Sequence, residues 1–207
     1  MTTITVLTPR APEIEGVLRP RLPDDVRLFA ARDPEELADG ALAAEIAFGA
    51  PDQLAALVPR LPRLRWAQST WAGITPFLEQ PRRDFLLTGA KGIFGAAMSE
   101  YVLGWILALE RSILRHATAT HWDERPDRGT AGLRVGIAGV GSIGEEVARR
   151  STPFFREIVG LNSDGRDVPG CARCFPRERV MEFAAGLDVL VMLLPATAAT
   201  KDLVDAR

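Results

Sequence analysis

The sequence predicts an α/β protein with parallel sheets. Three observations point there. Short apolar runs alternate with helical or turn segments across residues 1–92. A stretch with helical apolar periodicity follows. Then a strand, a glycine-rich turn and a helix succeed one another directly, in RVGIAGVGSIGEEVARR, Arg134 to Arg150.

In the first segment the candidate strands are Ile4–Leu7, Val26–Ala30, Glu45–Gly49, Leu64–Ser69 and Phe85–Thr88. Helices are expected at Glu13–Leu18, Pro34–Gly40, Gln53–Val58 and Pro76–Gln80. Pro51, Pro59, Pro62, Pro76 and Pro81 punctuate the segment.

Met98, Tyr101, Val102, Trp105, Ile106, Leu109 and Ile113 then recur at three- and four-residue steps. That spacing predicts one long helix through FGAAMSEYVLGWILALERSILRHATATHW, with its aromatics read as core. The polar DERPDRGTAG, Asp123 to Gly132, reads as a connector.

Val135, Gly136, Ile137 and Ala138 form a small, apolar run, the pattern of a strand buried on both faces. Gly139, Val140, Gly141, Ser142, Ile143 and Gly144 fit G-x-G-x-x-G, and Glu145 to Arg150 reads as a helix. Gly139 would allow the tight turn, Gly141 the approach of a pyrophosphate, and Gly144 close packing of helix on strand. The first backbone N–H groups of the helix would face the phosphates. An adenosyl-dependent methyltransferase carries similar glycines; the strand–turn–helix context is what selects a dinucleotide. Three more strands follow at Glu157–Leu161, Cys171–Phe175 and Asp188–Leu194, making four where a complete doubly wound dinucleotide domain has six.

Composition excludes other classes. The chain has 207 residues, 47% hydrophobic and 25% charged, with a formal net charge of −2. Its basic residues are scattered Arg apart from Lys91 and Lys201, which gives no nucleic-acid footprint. The start MTTITVLTPR is no signal peptide, and Tyr101–Leu109 is too short to span a bilayer, so a cytoplasmic protein without membrane contact is expected. Cys171 and Cys174 form C-A-R-C. A zinc site would need two further ligands, and His116 and His121 lie far upstream, so no metal is expected and the pair reads as reduced structural thiols.

Four stretches, in order, resemble the D-isomer-specific 2-hydroxyacid dehydrogenases, and within them the glyoxylate/hydroxypyruvate reductases. LRWAQSTWAGITPFLE is similar to the substrate-loop segment, with Ile74 and Thr75 replacing the end of the usual A-G-V-D. GIFGAAMSEYVLGWILALER is similar to the hinge helix with its M-x-E-Y core. VGIAGVGSIGEEVA is the cofactor turn. DVLVMLLPATAATKDLVD is similar to the strand and L-P-x-T-x-x-T loop along the cofactor.

The resemblance implies a flavodoxin-like substrate lobe over 1–95, a hinge helix and connector over 96–131, and an incomplete Rossmann lobe over 132–207. It implies hydride transfer from a nicotinamide to a small 2-keto acid such as glyoxylate or hydroxypyruvate, and a homodimer. Backbone N–H groups near Ala72 and Gly73 would bind the substrate carboxylate, with Trp71 as a wall. Pro195 and Thr200 would border the cofactor. The family's Arg and its Glu–His pair fall beyond residue 207, and neither His116 nor His121 matches that histidine, so no catalytic residue is assigned. Residues 1–207 alone are expected to be inactive, with the apolar strand Asp188–Leu194 as an unprotected edge that pairs or aggregates. The alternative is a non-catalytic NAD(P)-binding sensor or scaffold, a role filled by the family's corepressors of the C-terminal-binding type.

NAD enzymes place an acidic side chain about 20 residues past the turn, on the ribose hydroxyls. Here that position carries Asn162, then Ser163, with Arg166 near enough to meet a 2′-phosphate. The balance is toward NADP rather than NAD; a small shift of alignment onto Asp164 would reverse it.

Overall fold

A computed structural model describes residues 1–78, 80–122, 124–197 and 199–204. The chain divides into two units, Met1–Lys91 and Gly92–Arg207.

The first unit is a five-stranded parallel sheet: β1 (Thr3–Leu7), β2 (Arg27–Ala31), β3 (Ile46–Gly49), β4 (Trp66–Ser69) and β5 (Leu86–Thr88), in the order β2-β1-β3-β4-β5. That order is the flavodoxin-like one. The helices are α1 (Ala11–Leu18), α2 (Pro51–Leu57) and α3 (Thr75–Leu78). Proline opens α2, where its missing N–H costs nothing and its fixed φ suits the first turn. The helix then buries Leu54, Ala55 and Leu57 in a core with Leu7, Leu61, Leu64 and Phe77.

The helix expected at Pro34–Gly40 is instead two short 3₁₀ segments, Pro34–Glu36 and Asp39–Ala43. Leu37 and Ala38 between them are extended. Gly40 lies against the Phe29 ring, where a Cβ would stand 2.8 Å from Cζ, so the segment hugs the sheet.

The second unit begins with α4 (Gly95–Glu110) and α5 (Ile113–Ala117). The single helix expected here is broken at Ser112, which sits in the left-handed region at φ 50°. The N–H groups of Arg111 and Ser112 turn back to the Leu107 and Leu109 carbonyls. Next come β6 (Arg134–Ala138), α6 (Ser142–Ser151), β7 (Glu157–Asn162), β8 (Arg173–Pro176), α7 (Val180–Ala184) and β9 (Val189–Met192). The four strands are parallel in the order β8-β7-β6-β9. This is the 3-2-1-4 portion of the doubly wound dinucleotide fold.

α4 packs on α6. Gly95 permits the approach, since a Cβ there would meet Glu146 Cβ at 2.9 Å. β9 is shorter than the run Asp188–Leu194. The Asp188 carboxylate accepts the Arg134 N–H at 2.9 Å and marks its start; the bond from Leu193 N to Ala138 O, 2.7 Å, marks its end ahead of Pro195. That backbone N–H holds the Asp188 carboxyl below its ordinary range, with the Arg128 guanidinium helping. Among the described residues no helix is long and apolar enough to cross a membrane.

Candidate dinucleotide site

The strands of the second unit deliver three backbone segments to one end of the sheet. Behind β6, Gly139 takes φ +101°, a conformation that L side chains rarely adopt. A Cβ there would also lie 2.7 Å from the Leu193 carbonyl, and the Gly139 and Val140 N–H groups both bond to Leu161 O, at 2.9 and 3.3 Å. The turn is thus seated between the ends of β7 and β9. Gly144 is equally constrained, since a Cβ would collide with the Gly139 carbonyl oxygen.

Gly141 differs. Its φ is −81°, open to any residue, and among the described residues no atom beyond its own chain neighbours lies within 4 Å of where its Cβ would be. No close approach in the fold demands glycine at this point. Gly141 is also the N-cap of the ten-residue α6, and it brings no side chain to cap the helix. The N–H groups of the first turn are left for an anion, with the positive end of the helix dipole behind them.

Beside this turn is a cavity of about 300 Å³. Of the residues the sequence marks out for a cofactor, Gly139, Gly141, Asn162, Ser163, Arg166, Pro195 and Thr200 line it. Ser142, Ile143 and Gly144 form the adjoining first turn of α6 rather than its wall. Val140, Leu161, Leu194 and Leu203 make an apolar lining, and Arg177 adds a second guanidinium that the sequence reading did not mark. A larger depression of about 940 Å³, with His116 and His121 on its wall, lies at the end of α5 away from the glycine turn.

Several polar side chains here organise loops. Asn162 Oδ1 accepts the N–H groups of Asp164 and Gly165, at 3.3 and 2.5 Å, and its Nδ2 donates to Arg166 O at 2.8 Å. Its amide therefore shapes the turn that carries Arg166. Asp164 does not line the cavity; its carboxylate accepts the Arg166 N–H at 3.4 Å. Thr200 folds the L-P-x-T-x-x-T loop on itself. Its hydroxyl donates to the Pro195 carbonyl and accepts from Thr197 N at 3.0 Å.

In the first unit, Trp71, Ala72 and Gly73 lie on the exposed loop after β4, with Trp71 at 61% exposure. The buried Ser69 hydroxyl accepts the Trp71 N–H at 3.1 Å, and Ala90 N donates to Trp71 O at 3.0 Å. Among the described residues, the N–H groups of Ala72 and Gly73 make no backbone hydrogen bond. Such paired free amides suit a carboxylate.

His116 Nε2 lies 3.0 Å from Asp127 Oδ2, and hydrogen bonding from His116 and then Ser112 holds the Asp127 carboxyl below its ordinary range. Among the described residues, His121 reaches Thr120 Oγ1, at 3.5 Å. Cys171 and Cys174 are free thiols that both crowd Gly160. Burial, then the neighbouring Cys174, pushes the Cys171 thiol up to about 12, so it is protonated and unreactive at neutral pH. No group of three or more metal-ligating side chains occurs among the described residues.

Residues 103–207 match the family described as D-isomer specific 2-hydroxyacid dehydrogenase, NAD binding domain. A family protein from Aeromonas salmonicida superposes with a TM-score of 0.87 at 30% identity, covering 96% of this chain and 66% of that one. A second, from Klebsiella pneumoniae, gives 0.80 at 27% identity, covering 99% and 66%. An NADPH-dependent glyoxylate/hydroxypyruvate reductase from Sinorhizobium meliloti, solved with NADP and sulfate, shares the fold with a TM-score of 0.79 at 24% identity, covering 97% and 64%. An uncharacterized protein from the proB 3′ region of Corynebacterium melassecola is 28% identical over 158 residues, 72% of this chain and 52% of that protein. The chain spans about half the length of this curated relative and about two thirds of the solved structures. The strand order, the glycine turn and the match over residues 103–207 agree, and the chain belongs to the D-isomer-specific 2-hydroxyacid dehydrogenase family.

Proposed function

We propose that the cavity beside the glycine turn holds an NAD(P) dinucleotide, NADP in preference to NAD, and that the protein reduces a small 2-keto acid of the glyoxylate or hydroxypyruvate kind. The observation that carries the first part is Gly141, a glycine with open space beyond it at the uncapped start of α6. The diphosphate would lie on the N–H groups of Gly141, Ser142 and Ile143, with the adenosine end toward Ser163 and Arg166. Pro195 and Thr200 would border the rest. When bound, the cofactor supplies the hydride that reduces the keto carbon. The amides of Ala72 and Gly73 would receive the substrate carboxylate, with Trp71 as a wall.

The preference for NADP is supported by the charge of the lining. Among the described lining residues there are two guanidiniums and no carboxylate. Asp164, the acid nearest Asn162 in sequence, is turned to its own loop. Titration with both cofactors tests this: NADP should bind at least tenfold tighter, and tenfold tighter NAD would reverse it. Turnover is tested by oxidation of NADPH in the presence of glyoxylate.

A second reading is a dinucleotide sensor or scaffold without turnover. One observation favours it: the described lining residues include no histidine, cysteine or carboxylate, the side chains that most often hand a proton to a product. Cofactor binding with no glyoxylate- or hydroxypyruvate-dependent NADPH oxidation would select it. For either reading we propose a homodimer. Tyr101, Trp105, Leu109, Ile113 and Leu114 are 46–65% exposed along α4 and α5, an apolar stripe that a second copy would cover. Light scattering reads the mass directly.

A further inference from the structure

We propose that Arg177 and Arg166 together form a two-guanidinium site for a phosphate on the ribose 2′ position, and that Arg177 sets the preference for NADP. The proposal rests on the reading that the cavity holds an NAD(P) dinucleotide.

Placement comes from strand register. β7 and β8 run parallel with Asn162 opposite Pro176, so the next residue on each strand, Ser163 and Arg177, leave the sheet side by side. Both line the cavity, as does Arg166 from the turn that Asn162 shapes. A residue 15 positions past Asn162 is thereby brought to the place where the ribose of a doubly wound fold is met.

The partners of Arg177 set it apart from its neighbours. Arg173 lies over the Phe175 ring at 4.6 Å. Arg179 stands over the same ring at 5.6 Å and pairs with Glu182. Among the described residues Arg177 has only long contacts, 3.5 Å to the Ala199 carbonyl and 3.9 Å to Glu178 Oε1. Arg166 pairs with no carboxylate among the described residues. Two guanidiniums on one small wall repel each other, and a dianion between them reverses the sign of that interaction. Each could give the phosphate a forked, charge-assisted pair of hydrogen bonds. A ribose 2′-hydroxyl has no charge to do this and leaves both cations unneutralised.

The competing role for Arg177 is mechanical. Through Ala199 it ties the end of β8 to the loop carrying Thr200, and it could also stack on the adenine. Either would act on NAD and NADP alike. The test is therefore a ratio. NADP, NAD, 2′,5′-ADP and 5′-AMP are titrated into the wild-type protein and into Arg177→Gln and Arg177→Lys, each checked for folding by thermal melting. Arg177→Gln should weaken NADP and 2′,5′-ADP by about tenfold to a hundredfold and change NAD and 5′-AMP by less than about threefold. Arg177→Lys should fall between, because it keeps the charge and loses the fork. Should the glutamine variant fail to fold, a lysine variant with unaltered NADP-to-NAD preference overturns the proposal. Equal losses on all four ligands, or no loss on any, overturn it as well. A wild-type protein that does not prefer NADP fails the broader reading. A wild-type preference that survives in Arg177→Gln fails this inference alone.

Discussion

In the Met1–Lys91 unit, the switch point between β1 and β3 is filled by the chain itself. Gly49 ends β3 so close to β1 that a Cβ would collide with the Leu7 carbonyl oxygen, and Ala50 N bonds that same oxygen at 3.1 Å. Thr8, Ala11 and Ala50 close over it, at 6%, 1% and 8% exposure. In the Gly92–Arg207 unit, the switch point between β6 and β9 opens instead into the 300 Å³ cavity. Both sheets set a glycine at this place, where open α/β sheets bind ligands. Gly49 is demanded by packing, whereas no close approach demands Gly141. Empty space beyond a Cα is not by itself a site, since Gly16 and Gly104 have it too; at Gly141 it coincides with the uncapped first turn of α6, whereas a glycine wedged against backbone marks a joint.

The largest expected effect breaks the joint. Gly49→Val would press a branched side chain onto the Leu7 backbone, which cannot give way as a flexible side chain would. Overpacking of this kind costs about 3 kcal/mol or more, a fall in Tm of roughly 6–12 °C for a chain of this size. A melting temperature within about 2 °C of wild type would show that β1 and β3 can separate, and would undo the contrast.

Gly141→Val is the converse. Among the described residues its Cβ meets no atom beyond its own chain neighbours, and its φ of −81° suits any residue, so the variant should fold with a Tm within about 2 °C of wild type. The new side chain would occupy the space of the diphosphate and weaken NAD(P) binding by at least about a hundredfold, or about 2.7 kcal/mol. Binding and melting measured on one preparation separate the two kinds of glycine.

Gly139→Ala sharpens the comparison, because Gly139 belongs to both kinds. Its φ of +101° and the Leu193 carbonyl 2.7 Å from a Cβ make it a joint, while it also lines the cavity. We expect a loss of about 1–3 kcal/mol in stability together with weaker cofactor binding. Either loss without the other would mean that the turn and the cavity wall are less tightly joined than the backbone contacts indicate.

These contrasts show what the sequence could display. The strand, glycine turn and helix of 134–151 were legible because their determinants are local: a short apolar run, glycines at fixed offsets, an amphipathic segment. Asn162, Ser163 and Arg166 were legible because they follow β7 directly. Arg177 was not, because its place depends on the pairing of Asn162 with Pro176, a contact between strands that no spacing along the chain reports. The break at Ser112 was hidden for a related reason. Apolar periodicity continues through Ile113, and one left-handed residue leaves that pattern intact. What Asn162 does was half visible: it lines the cavity, but its amide is committed to the loop.

The smallest expected effect tests whether backbone or side-chain charge governs the site. On α6, Glu146 accepts hydrogen bonds from Arg149 at 2.9 and 2.6 Å and from Arg150 at 2.5 Å. These guanidiniums, Arg149 first, hold its carboxyl down to about 2, against 4.5 in the unfolded chain. A depressed folded value means the pairing stabilises fully above pH 4.5 and is lost as the pH falls toward 2. Glu146→Gln should therefore flatten the acid limb of the stability profile in that window. Water screens such surface pairs, so at pH 7 the Tm should move by less than about 2 °C. Glutamine keeps the methylenes that face Gly95, so the packing of α4 on α6 is retained. Cofactor affinity at pH 7 should then stay within about twofold, because the phosphates would be met by the N–H groups of the first turn and not by charges in the second. A tenfold change in that affinity would mean that side-chain charge on α6 sets the strength of binding, and Gly141 would no longer be the residue on which the site turns.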